Sequence, residues 1–91
     1  MGLNLLPANK SLKPLEYNWG SWKFLVNCLN NWGVDTKDFS ERNEGSLLNA
    51  EVCRTVADVI EKNLDQLAPE DQIWLREHIE LWRLSGGFEQ W

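Results

Sequence analysis

The sequence predicts a small all-α domain of three helices, with an extended N-terminal arm and a C-terminal aromatic tail packed on the core. Three observations carry that prediction. Three segments repeat apolar residues at the spacing of one helical face, and the connections at Gly33 and Ala68-Pro69 are short. No run keeps up strand alternation long enough to compete. Ninety-one residues suit one domain, read here as an arm, 1–16, and a helical domain, 17–91.

In the arm, Pro7 and Pro14 break any helix, while Leu3, Leu5, Leu6, Leu12 and Leu15 recur around them. That composition describes an extended segment lying across the core or across a partner. The first helix opens at Asn18, a good N-cap residue, and runs through W-G-S-W-K-F-L-V-N-C-L-N-N-W. Trp22, Leu25, Val26, Leu29 and Trp32 share one face, with Trp19 and Cys28 at its edges and Lys23 and Asn27 opposite. Gly33 then takes the C′ position, and Val34 packs back on Leu29. Residues 34–48 are irregular: Asp35 caps a single turn that tucks Phe39 inward, and S-E-R-N-E-G-S reads as an exposed loop. Ser46 to Leu48 could pair briefly with the arm.

The second helix is capped by Asn49. Val52, Cys53, Val56, Ala57, Ile60, Leu64 and Leu67 form its stripe up to Ala68, and Asp58 and Lys62 sit at the favourable i,i+4 spacing. The third begins at Pro69, suited to the first helical position, with Glu70 and Asp71 favouring the positive end of the dipole. Its buried face holds Trp74, Leu75, Ile79, Leu81 and Trp82, and it ends near Leu84 or Ser85. Gly86 is then free to take the left-handed conformation that ends a helix, and Gly87 to complete the reversal. The tail S-G-G-F-E-Q-W is therefore expected to clasp the core, carrying Phe88 and Trp91 towards the Trp19–Trp22 end of the first helix.

Charge and composition exclude several functions. The net charge is −5, and the nine Lys and Arg are spread singly, so no basic face exists for nucleic acid. The start, M-G-L-N-L-L-P-A-N-K, has no signal-peptide pattern, Leu6 stands where myristoylation wants Ser or Thr, and no segment has the length of a membrane span. These features describe a cytoplasmic protein. Cys28 and Cys53 lack C-x-x-C spacing and have one His elsewhere, so no metal site is expected. They read as buried thiols, with a disulfide between helices as the alternative.

Catalytic candidates are few. His78, the only histidine, lies on the third helix's apolar stripe with Asp71 two turns earlier, about 10 Å along the axis and out of direct reach. No nucleophile motif accompanies it, so it reads as a packed histidine hydrogen-bonded to a loop carbonyl. Glu70-Asp71 and Glu77/Glu80 belong to helix ends and solvated faces, and Gly86-Gly87 ends a helix where phosphate binding needs one to begin. No catalytic residue and no cofactor is expected.

Six tryptophans in so short a chain either enlarge the core, at about 150–250 Å² each, or line a partner surface. Three loops concentrate aromatics and amides, and their ends could meet at one pole. The pole would combine Tyr17, Asn18, Trp19 and Trp22 from the first helix start with Asn43 and Gly45 from the middle loop. Ser85, Phe88, Glu89 and Trp91 would complete it from the tail. The plainer reading is that these residues cap helices and seal the core.

The order W-G-S-W, then N-E-G, then a helix ending in S-G-G-F-E resembles a group of small bacterial proteins of unknown function, over roughly residues 16–91. Trp91 and the extra residue in W-G-S-W depart from that pattern. The resemblance implies a bacterial origin and carries no activity across. The expectation is a non-enzymatic interaction or accessory module with a protein partner. The alternative is a small-ligand domain with a polar-aromatic pocket at the pole, and an enzyme built on His78 is the third reading.

Overall fold

The computed structural model describes residues 2–39 and 45–91. Its elements are β1 (Gly2–Pro7), β2 (Leu15–Asn18), α1 (Trp19–Asn31), β3 (Ser46–Asn49), α2 (Ala50–Asn63), α3 (Pro69–Leu84) and β4 (Gly87–Gln90), with a 3-10 turn over Leu64–Gln66. The all-α expectation is overturned. The four strands form one antiparallel sheet in the order β2-β1-β4-β3; α1 and α2 pack on its inner face, and α3 packs on α2 and reaches the sheet through Trp82 and His78.

The expected helices are present because their ends are chemically specified. Asn18 and Asn49 accept from the backbone N–H groups of Ser21 and Val52 at 2.7 and 2.8 Å. Beyond α1, the N–H of Val34 reaches Leu29 O and that of Gly33 reaches Asn30 O, the paired bonds of a glycine-terminated helix. Pro69 opens α3. The second helix is shorter than its apolar stripe suggests: it stops at Asn63 and tightens into the 3-10 turn. Asp35 accepts from the N–H of Lys37, and Phe39 is buried, as expected of that turn.

The arm is sheet. Leu3, Leu5 and Pro7 face inward and Asn4 outward, a period-2 pattern that the prolines obscured. The N–H of Ala8 donates to Gly87 O, so the Pro7 nitrogen points the other way, past the last β1–β2 pair at Leu5 and Leu15, where no donor is needed. Residue 16 lies within β2. Ser46 to Leu48 pairs with β4 and not with the arm, because β4 stands between them.

The tail supplies that central strand. Gly86 and Gly87 adopt φ of +71° and +115°, and the chain reverses into β4. A Cβ on Gly87 would stand 2.8 Å from Leu48 O, so only glycine admits this approach to β3. Phe88 enters the core edge-on to Trp82 with ring centroids 4.9 Å apart. A row of rings continues from Trp82 through Phe39 to Trp22, at 6.3 and 5.7 Å. Phe88 thus reaches Trp22 through two other rings. Trp91 takes another course: its N–H donates to Asn4 O, and its ring lies over Gly45.

Candidate functional site

Of the ten residues expected at one pole, the nine that are described do not gather there. Tyr17, Trp22, Ser85 and Phe88 are core. Ser85 Oγ donates to Trp82 O and accepts the N–H of Gly87, so it shapes the α3–β4 turn. Asn18 is spent on its cap. Trp19 is the first residue of α1, while Glu89 lies on β4 with Gly45 and Trp91 directly flanking β3 and β4. Asn43 lies outside the described residues.

The buried centre joins β2 to α3. The Trp82 indole N–H donates to the Tyr17 hydroxyl at 3.2 Å, and that hydroxyl is 2.9 Å from His78 Nδ1. The hydroxyl oxygen can accept more than one hydrogen bond, but its proton has no acceptor besides Nδ1 among the described residues; placed there, it leaves His78 neutral with its own proton on Nε2. His78 therefore bonds a tyrosine, where a loop carbonyl was expected. Burial holds the Tyr17 hydroxyl well above the usual tyrosine range, against the Trp82 hydrogen bond. Burial also pushes the His78 pKa down, opposed by Glu77. Trp74 and Tyr17 both stack edge-on to the imidazole.

Both thiols are free, Cys53 buried and Cys28 half-buried. Burial raises each pKa, and the charge of Asp71 adds to the rise at Cys28, so neither is an activated nucleophile. Among the described residues no group of three His, Cys, Asp or Glu could hold a metal ion. No helix among them is long and apolar enough to cross a membrane.

The sheet's outer face has no element over it among the described residues. Its register sets Leu6, Glu89 and Leu47 side by side across β1, β4 and β3. Leu47 is 68% exposed and Trp91 48%. Because the glycines leave β4 without side chains here, a hollow of about 480 Å³ opens between β1 and β3, lined by Leu6, Ala8, Lys10, Leu47 and Glu89 over Gly86 and Gly87. Glu89 makes no ion pair among the described residues.

A second groove, of about 460 Å³, runs along α1. Trp19, Lys23 and Asn27 lie along one side and Thr36 completes the lining, over a floor of Trp22, Val26 and Phe39. Lys23 and Asn27 are solvent-facing as expected, but they also border a concavity. Their spacing of four from Trp19 was the legible signal. For Leu6 and Leu47 there was none, because exposure on a sheet depends on strands paired from distant parts of the chain.

No protein-family model, curated protein or solved structure matches the chain. The resemblance carried by W-G-S-W, N-E-G and S-G-G-F-E therefore rests on those residues alone.

Proposed function

We propose that this protein is a non-enzymatic interaction module whose partner is a different protein, docked on the open face of the sheet. The observation that carries the reading is Glu89 on the central strand, unpaired between Leu6 and Leu47 and beside the glycine-floored hollow. Apolar side chains around one carboxylate suit a partner surface with aliphatic residues and a single cation. Half-exposed Trp91 adds a rigid aromatic of the type enriched at interface centres. A second copy of the chain is a poor occupant. The net charge of −5 and the two acids on this face, Glu16 and Glu89, favour a partner with a cationic surface over a second acidic copy.

The test is photocrosslinking in the source cell, with the reactive side chain at Leu47 or, as a control, at Lys62 on the exposed side of α2. Position 47 is expected to capture a protein that position 62 does not, and Glu89→Lys to abolish that capture. Equal capture from both positions, capture of the chain itself, or indifference to Glu89→Lys would sink the reading.

A further inference from the structure

The groove along α1 lies apart from the open sheet face, and its chemistry is different. Its lining includes Trp19, Lys23, Asn27 and Thr36, which carry an indole N–H, an ammonium, an amide and a hydroxyl, and no acidic residue among the described ones. None of these four side chains has a hydrogen bond or ion pair among the described residues. Trp19, Lys23 and Asn27 follow one another at intervals of about 6 Å along the helix, so their donors form a row beside the floor. That floor is apolar, the Trp22 and Phe39 rings stacked at 5.7 Å with 26° between their planes.

The charge pattern of the helix agrees. The first turns of α2 and α3 carry Glu51 and Glu70 with Asp71, whereas the first turn of α1 holds no acid. Its positive end therefore has no anion of its own. In a protein of net charge −5, this groove gathers donors and a cation with no anion among the described residues. Its size falls within the roughly 300–1,000 Å³ of small-molecule sites.

We infer that the groove is a binding site for a small carboxylic acid with a flat apolar body. The carboxylate is held by the Trp19 indole N–H and the Lys23 ammonium, and the body lies against Trp22, Val26 and Phe39. The acid supplies an acceptor to these donors, and its apolar part lies over half-buried Val26 and the exposed edges of Trp22 and Phe39.

The test is a titration of the whole chain with 3-phenylpropionate, and with its neutral amide, followed by ¹H–¹⁵N correlation spectra. The acid is expected to move the Trp19 indole cross-peak saturably, and the amide to bind more weakly. Lys23→Met should weaken the acid roughly twofold to fivefold, the range of an exposed ion pair, and Lys23→Arg should keep it. Lys23 is exposed, so the backbone spectrum of each variant reports an intact fold directly. No saturable movement of the Trp19 signal, equal binding of acid and amide, or unchanged binding in Lys23→Met would each overturn the inference. None of these outcomes bears on the sheet-face reading.

Discussion

The Tyr17 hydroxyl stands 2.9 Å from His78 Nδ1 and joins the strand before α1 to the middle of α3. With Trp82 donating into the same oxygen, the three side chains form a one-way relay in which each proton has a single place. A protonated His78 would carry a proton on Nδ1 facing the hydroxyl, and the Tyr17 proton would lose its acceptor in a buried site.

Acid should therefore weaken the fold through His78. Its folded pKa lies below the ordinary 6.5, so the unfolded chain takes up this proton first. The contribution to stability is complete above pH 6.5 and is lost as the pH falls from there through the folded value. Urea melts across this range should show that slope, and His78→Gln, which cannot titrate, should remove it. An identical slope in the variant would assign the effect to the carboxylates.

Tyr17→Phe should cost about 1–3 kcal/mol, the usual penalty for leaving buried hydrogen-bonding groups without a partner. It also removes the donor to Nδ1 that favours neutral imidazole, so the His78 pKa should rise in an NMR titration. In the parent protein the raised Tyr17 pKa gives stability that is present below pH 10 and declines as the pH climbs above it. Tyr17→Phe should lose that alkaline decline.

Phe88 and Trp91 should separate sharply. Phe88 is 2% exposed and packed on Trp82, so Phe88→Ala should cost about 3–5 kcal/mol. Trp91→Ala, at a half-exposed site, should cost clearly less by the same denaturant melts. Deleting Phe88 to Trp91 takes away nearly all of β4 and leaves β1 and β3 without their common neighbour. That variant should show no cooperative unfolding transition.

Gly45 has φ of +76°, and a Cβ there would fall within 2.5 Å of the Trp91 ring. Gly45→Ala should destabilise by both backbone strain, about 1–2 kcal/mol, and the ring clash. In the double variant with Trp91→Ala the clash disappears and the strain remains. A double-mutant cycle should therefore give a coupling that restores part of the loss. Strict additivity would show that ring and glycine do not touch.

Much of the helical half of this fold was legible because helix ends are specified by neighbours in sequence. Asn18, Asn49, Gly33 and Pro69 each act within a turn of themselves, and the stripes of α2 and α3 repeat locally. The same holds for the Gly86-Gly87 reversal, which needs only positive φ. The site was less legible. Trp19, Lys23 and Asn27 declare their common side by spacing, but Phe39 and Thr36 complete the groove only once the turn after α1 folds back.

The sequence by itself determined where the helices start, where the first and third stop, that the tail turns back, and that the net charge is acidic. Only the tertiary structure decided the sheet. Strand pairs such as Leu5 with Gln90 and Ser46 with Gln90 join distant segments, and four-residue strands are too short for a local alternation to announce them. That pairing also decided which face of β4 is buried. It sent Phe88 into the core and left Glu89 in the open between two leucines, because consecutive residues of a strand point to opposite sides.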